Sequence, residues 1–103
     1  MNISEIHFHD SIILKVIEDT GKDRLIFVVD YPVDWERDIF EQRFIVFKKF
    51  LDYQNMEGAF EGNPAIYDVK EDVYNQTHRK LTIYSNAGER KLLFSAVELK
   101  KEL

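Results

Sequence analysis

The chain has 103 residues, with 45% hydrophobic and 14% aromatic side chains, no cysteine and a net charge of −5 at pH 7. This length predicts one domain, residues 1–103, whose core needs no disulfide or structural metal. The acidic charge argues against general nucleic-acid binding, because an acidic surface repels phosphate backbones. The apolar run at residues 12–14 is too short for a signal sequence or a membrane span, so we expect a cytoplasmic protein without membrane contact.

A β-hairpin is predicted near the N-terminus by two stretches rich in β-branched residues, 12–17 and 25–29. Residues 19–23 separate these stretches, and Gly21 is expected to supply the positive φ of a tight turn. Residues 6–8 are long enough for a short additional strand before this hairpin.

Residues 34–53 allow two interpretations. Read at 3.6 residues per turn, their apolar side chains form one stripe and Asp34 is a suitable N-cap, which predicts a helix over about 35–52. Residues 44–47, however, are four consecutive strong β formers, which lose rotamer freedom in a helix. A strand over about 43–52 is therefore favoured.

The second half of the chain repeats the pattern of short strands and turns. A strand is predicted over 65–69 after Pro64, and residues 81–84 and 92–94 flank a turn that contains Gly88. Residues 97–103 either extend the final strand or close as a helical turn. We therefore predict a mainly β fold, an antiparallel meander that forms a small sandwich or open barrel. The alternative is an α+β fold with one helix at about 35–52.

The most suggestive cluster for chemistry is His7, His9 and Asp10. In an extended segment the two imidazoles point to the same side, because successive side chains alternate, and a neighbouring carboxylate could begin a metal site. Such a site needs further ligands, for which Glu57 and Asp68 are remote candidates. A structural interpretation is favoured, in which side-chain oxygens of residues 10–11 accept nearby backbone N–H bonds at the start of a strand. The sequence thus predicts no metal and no cofactor.

No enzyme motif emerges from the sequence. Ser11, His9 and Asp10 are adjacent, so their side chains diverge and cannot form the line of hydrogen bonds of a catalytic triad. There is no nucleophile elbow of the G-x-S-x-G type, and four scattered glycines cannot form a phosphate-binding loop. A non-enzymatic protein is expected, with no catalytic residue.

The charge is unevenly distributed along the chain. Residues 1–72 hold sixteen acids and eight bases, a net charge of −8, whereas residues 73–103 hold three acids and six bases, a net charge of +3. An acidic face from residues 18–41 and 57–72 could steer a basic protein partner. Trp35, an aromatic side chain among acids, is the preferred contact residue, since aromatic residues are common at binding hot spots. Tyr31 and Tyr67 are instead expected to seal the core. The binding candidates are Trp35, Glu36, Asp38, Glu41, His7, His9 and Asp10.

Three segments together resemble a loose group of small bacterial proteins, some of which are grouped with immunity proteins that neutralise polymorphic toxins. The segments are His9-Asp10-Ser11 followed by an aliphatic run, the stretch 43–47, and the hairpin around residues 85–92. The resemblance covers most of the chain and implies a mainly β fold, with a strand over 43–52. It supplies no catalytic residue.

These observations lead to three hypotheses of function. The first is a non-enzymatic cytoplasmic binding domain for a basic protein, of the immunity type. The second is a metal-binding or hydrolytic protein that uses His7 and His9. The third is a structural homo-oligomer that assembles through an exposed sheet edge.

Overall fold

The computed structural model describes all 103 residues and consists of eight strands and two short 3₁₀ helices. The 3₁₀ helices are Ile3–Glu5 and Thr20–Lys22. The strands are β1 (Ile12–Asp19), β2 (Arg24–Asp34), β3 (Ile39–Lys48), β4 (Leu51–Glu57), β5 (Ile66–Val73), β6 (Arg79–Ser85), β7 (Gly88–Phe94) and β8 (Ala96–Lys100).

The strands form two four-stranded antiparallel sheets that pack as a sandwich. The strand order is β1-β2-β3-β8 in one sheet and β4-β7-β6-β5 in the other. Each sheet contains a three-stranded meander, β1-β2-β3 or β5-β6-β7; β8 completes the first sheet, and β4 completes the second. The mainly β prediction is confirmed, and the sheets form a sandwich rather than a closed barrel.

The disputed residues 34–53 contain strands and no helix. Ile45 and Phe47 point into the sandwich, Val46 points to the opposite side of the sheet, and all three are fully buried. Because successive side chains of a strand point to opposite faces, β3 buries residues on both of its faces, and four consecutive strong β formers fit that arrangement. The chain then crosses to the other sheet at Lys49, which has φ +50 and donates its N–H to the Asp23 carbonyl at 2.8 Å.

The two predicted hairpins form, but only one turn uses its glycine as expected. Gly88 has φ +140 and begins β7 after the turn from β6. The prediction for Gly21 is wrong, because positive φ falls instead on Asp23, at +51. The turn is a 3₁₀ helix capped by Asp19, whose carboxylate accepts the N–H of Lys22 at 3.3 Å. A capped 3₁₀ turn removes the need for glycine conformation at position 21.

The N-terminal segment joins the two sheets at one corner. Residues 6–8 do not form the predicted strand; Ile6 and Phe8 are buried against the core after the 3₁₀ helix. Ile66 N–H donates to the carbonyl of Ser11 at 2.9 Å, and Ile13 N–H donates to that of Pro64 at 2.9 Å. These bonds hold the start of β1 against the start of β5.

The core between the sheets is built around aromatic contacts. Phe27 and Phe47 meet edge to face with ring centroids 5.6 Å apart, and Phe47 meets Phe94 in the same way at 5.4 Å. Each edge-to-face pair of this kind stabilises the fold by about 0.5–1.5 kcal/mol beyond the effect of burying the apolar surface of its rings. Because β2, β3 and β7 supply these rings, the two sheets are tied together at the centre of the sandwich. Residues 97–100 are extended as one alternative predicted, but they form a separate strand, β8, in the other sheet and do not extend β7.

A second, smaller apolar cluster lies on the outer face of the first sheet, where Ile26, Val28 and Val46 are almost fully buried. Charged side chains from β3 and β8 form ion pairs beside it. Lys48 Nζ lies 2.7 Å from Glu98 Oε1, and Lys100 Nζ lies 3.2 Å from Glu98 Oε2. Hydrogen bonds from Lys48 and then Lys100 lower the pKa of Glu98 below its ordinary value.

Glu98→Gln is expected to destabilise the protein at pH 7 and to lose this effect on acidification. The folded pKa of Glu98 is lowered, so its contribution is complete above the unfolded value of about 4.3 and is lost as the pH falls through the folded pKa. Urea unfolding of the variant and the wild type at pH 7 and pH 3 measures the difference. Glu102→Gln is the control, because the side-chain carboxylate of Glu102 is exposed near the C-terminus. An equal difference from wild type at both pH values would contradict the assignment.

Candidate binding site at one end of the sandwich

The segment from His7 to Ser11 is a rigid corner held from inside. Ser11 is 0% exposed, and its hydroxyl donates to the carbonyl of His7 at 2.8 Å. The N–H of Asp10 donates to Ile66 O at 2.8 Å, while the N–H of His7 donates to the Tyr31 hydroxyl at 2.8 Å. The predicted turn chemistry is wrong, because neither side-chain oxygen accepts a backbone N–H: the Ser11 hydroxyl donates to the His7 carbonyl, and Asp10 Oδ2 accepts from the Trp35 indole. The same bonds fix the backbone that carries the two histidines.

Asp10 has the left-handed φ of +70, which the corner requires. This conformation turns its carboxylate away from the core. One ligand atom from each of His7, His9 and Asp10 lies within 4.8 Å of the others. His7 and His9, which were predicted to share one side, do converge with the neighbouring carboxylate, through a tight corner and not along an extended segment. Ser11 is buried and bonded elsewhere, so it cannot act as a nucleophile with His9 and Asp10.

Trp35 joins this corner from the loop between β2 and β3. Its indole N–H donates to Asp10 Oδ2 at 2.8 Å, and His9 Nδ1 lies 3.1 Å from the same oxygen. The hydrogen bond from Trp35 is the main cause of a lowered pKa of Asp10; partial burial opposes it, and His9 adds to the lowering. Trp35 is nevertheless 58% exposed, so its ring is held in place while presenting most of its surface to solvent.

The remaining candidates lie on the same hairpin without bonding to the corner. Glu36 and Asp38 are exposed in the loop beside Trp35 and take part in no ion pair, whereas Glu41 pairs with Arg43 at 3.2 Å. Glu41 stands opposite Tyr31 in the strand register, and Tyr31 in turn binds the backbone of His7. The structure thus brings four of the seven candidates together at the corner and places the other three on the adjoining hairpin.

A groove of about 700 Å³ runs beside the corner, between the N-terminal segment and the edge strand β5. Eleven residues line it, and among them are three carboxylates, two histidines and no lysine or arginine. The carboxylates belong to Glu5, Asp68 and Glu71. Tyr67, expected in the core, is 55% exposed in this groove, so that prediction is wrong, whereas Tyr31 is buried as predicted. A bulge between Ile66 and Asp68 releases Tyr67 from the regular alternation of β5.

A polar cluster that the sequence interpretation missed lies between β4 and β7. Arg90 Nε and Nη2 donate to the two oxygens of Glu57 at 2.6 and 2.7 Å, and Nη1 donates to the Tyr53 hydroxyl at 3.2 Å. The guanidinium carbon also lies 5.8 Å from the ring centroid of Phe27. Glu57, considered as a remote metal ligand, is therefore committed to Arg90. Asp68 shares the groove with the two histidines but does not belong to their ligand cluster.

The Arg90 cluster borders a second cavity, of about 490 Å³, which opens between the edge strands β1 and β4. Burial lowers the pKa of Arg90, but its hydrogen bonds to Glu57 and the contact with Tyr53 outweigh burial and raise that pKa. Burial raises the pKa of Tyr53. Both groups thus keep their ordinary protonation states at neutral pH. The arrangement is therefore a buried ion pair with all its hydrogen-bond partners in place, and we expect it to stabilise the fold.

Comparison with protein-family models gives no match for this chain, and comparison with the curated proteins gives none either. No helix in the structure has the length and apolar character needed to cross a membrane.

Proposed function

We propose that this chain is a non-enzymatic binding domain that recognises a basic protein through the end of the sandwich formed by the residue 7–10 corner, the β2–β3 loop and the adjoining groove. The observation that carries the proposal is the hydrogen bond between Trp35 and Asp10, 25 residues apart, which fixes an exposed indole among carboxylates. Tryptophan is enriched among the residues that dominate binding energy.

Electrostatics support a basic partner. The groove is lined by no lysine or arginine and by three carboxylates, of which Glu71 pairs with Arg79 at 2.6 Å and the other two form no ion pair. The loop beside Trp35 adds Glu36 and Asp38, which also form no ion pair. Arg37, the one base in that loop, lies 3.6 Å from Asp34 and is partly neutralised. Complementary charge increases the rate of encounter, and a well-packed aromatic anchor slows release.

The finer form of the proposal is neutralisation of a toxic partner in the manner of immunity proteins, within the cytoplasm. The absence of cysteine suits a reducing compartment. A rigid acidic surface without catalytic machinery suits a protein that acts by occupying its partner.

The test is capture of a stoichiometric partner from lysate of the source cell at low salt, followed by affinity measurement with the identified partner. Trp35→Ala is expected to weaken binding by about 30-fold, the effect of losing a hot-spot residue. Glu36→Lys is expected to slow association and to reduce its dependence on salt. Glu61→Lys is the matched control, because Glu61 is also an exposed loop glutamate without an ion pair, and it lies in the β4–β5 loop and does not line the groove.

Three outcomes would contradict the proposal. The first is the absence of any stoichiometric partner at low salt. The second is a partner whose affinity is unchanged by Trp35→Ala and lowered by Glu61→Lys. The third is capture of further copies of this chain alone, which would favour assembly through a sheet edge.

A further inference from the structure

We propose that His7, His9 and Asp10 bind one divalent first-row transition ion, such as Zn²⁺ or Ni²⁺, at the corner before β1. This inference does not require the proposed protein partner, because it rests on the ligand cluster and on the hydrogen bonds that support it. Two imidazoles and one carboxylate form a donor set that suits zinc, nickel and iron, and one ligand atom from each residue already lies within 4.8 Å of the others.

The distances leave little rearrangement for binding. Around a tetrahedral ion with bonds of about 2.0–2.2 Å, the ligand atoms stand about 3.3–3.6 Å apart. His9 Nδ1 already lies 3.1 Å from Asp10 Oδ2, and the His9 side chain is 60% exposed, so its ring can rotate without disturbing packing. Side-chain rotation is therefore enough to close the cluster around an ion.

The backbone beneath the ligands is held in place before any ion binds. Ser11 and Tyr31 bind the carbonyl and the N–H of His7, and Ile66 binds the N–H of Asp10. Fixing the ligand-bearing segment in advance lowers the conformational entropy lost on binding. The backbone of this corner is therefore fixed before binding, unlike that of an accidental group of acids on flexible surface segments.

The second observation is the partner of the Asp10 carboxylate. Trp35 donates its indole N–H to Oδ2 at 2.8 Å, while no hydrogen bond engages Oδ1. Groups that hydrogen-bond a ligating carboxylate orient it, and their loss typically weakens metal affinity by about 10- to 100-fold. Trp35 thus acts as a positioning residue, and three protein ligands leave at least one coordination position for water or for a side chain of another molecule.

The chain carries its own probe for this site, because Trp35 is its only tryptophan. We propose to titrate the full, untagged and chelator-treated chain with NiCl₂ while recording tryptophan emission, with calorimetric titration of ZnCl₂ in parallel. One equivalent of Ni²⁺ is expected to quench the emission, because a paramagnetic ion would lie beside the indole, and Zn²⁺ is expected to compete and restore it.

Variants separate the ligands from their surroundings. His9→Ala and Asp10→Asn are expected to weaken binding at least tenfold; asparagine keeps an acceptor for the Trp35 indole while removing the charge. Trp35→Phe, measured by calorimetry, is expected to weaken binding about tenfold. His78→Ala is the matched control, since His78 is the one other histidine and lies in the β5–β6 turn, bonded to Lys49 O at 2.8 Å.

The proposal would be overturned by the absence of stoichiometric Zn²⁺ or Ni²⁺ binding to folded protein. It would also be overturned if His9→Ala and His78→Ala reduced affinity equally, because binding would then reflect scattered surface histidines. Far-UV circular dichroism of every variant establishes that the compared proteins are folded.

Discussion

Glu57→Ala is expected to lower the free energy of unfolding by about 3 kcal/mol. The substitution leaves the Arg90 guanidinium, whose side chain is 9% exposed, without its counter-charge, and arginine cannot escape the cost by losing its proton. Breaking a buried ion pair costs about 3–5 kcal/mol. We expect the lower end of this range, because the pair borders a cavity that opens to water. Urea unfolding followed by circular dichroism measures the change.

A control and a double variant separate this ion pair from charge in general. Glu89→Ala removes a glutamate whose ion pair with Lys91, at 3.8 Å, is partly exposed, and is expected to change stability by less than about 0.5 kcal/mol. Glu57→Leu combined with Arg90→Met replaces both charges by apolar groups and is expected to recover most of the loss. If Glu57→Ala cost no more than Glu89→Ala, the pair would not stabilise the fold.

The signal for this pair was present in the sequence but weak. Arg90 precedes Leu92 and Phe94 at intervals of two, so the alternation of β7 already places Arg90 on the face that enters the core. A charged residue at such a position needs a buried partner. Which carboxylate supplies it depends on the pairing of β4 with β7, strands 33 residues apart at this point, and no local pattern specifies that pairing.

The strands themselves were more predictable than their arrangement. Local composition identified both hairpins and favoured a strand at residues 44–47, because propensity and alternation act over a few neighbouring residues. The crossing of the chain between sheets at Lys49 was not predicted. It depends on the Asp23 carbonyl accepting the N–H of Lys49, a contact between distant residues.

The candidate site shows the same division. The spacing predicted that His7 and His9 share one side, but their convergence arises at a tight corner instead of an extended segment, and the part played by Trp35 required the folded structure. Trp35 reaches Asp10 only because the β2–β3 loop folds back over the N-terminal corner. Trp35 was predicted to be a contact residue because its sequence neighbours are acidic. Those neighbours gave no indication that Asp10 would orient its indole.

Gly88→Ala is expected to destabilise the protein by about 3 kcal/mol, for two reasons that add. At φ +140 a side chain strains the backbone, at a cost of about 1–3 kcal/mol. A Cβ at this position would also lie 2.9 Å from both Glu57 Cα and Met56 O, which are backbone atoms of β4. Overpacking of this kind typically costs about 1–3 kcal/mol. Urea unfolding again provides the measurement.

Two other glycines separate the strain from the contact. Gly62 has φ +88 but open space around a Cβ, so Gly62→Ala is expected to show the backbone cost alone, about 1–2 kcal/mol. Gly21 has neither positive φ nor a close contact, and Gly21→Ala is expected to be neutral or slightly stabilising.

Because the added methyl displaces the backbone of Glu57, Gly88→Ala should also weaken the ion pair between Glu57 and Arg90. The cost of combining it with Glu57→Ala is then expected to fall below the sum of the separate costs. Equal effects at Gly88 and Gly62 would show that β4 yields to the methyl group without resistance.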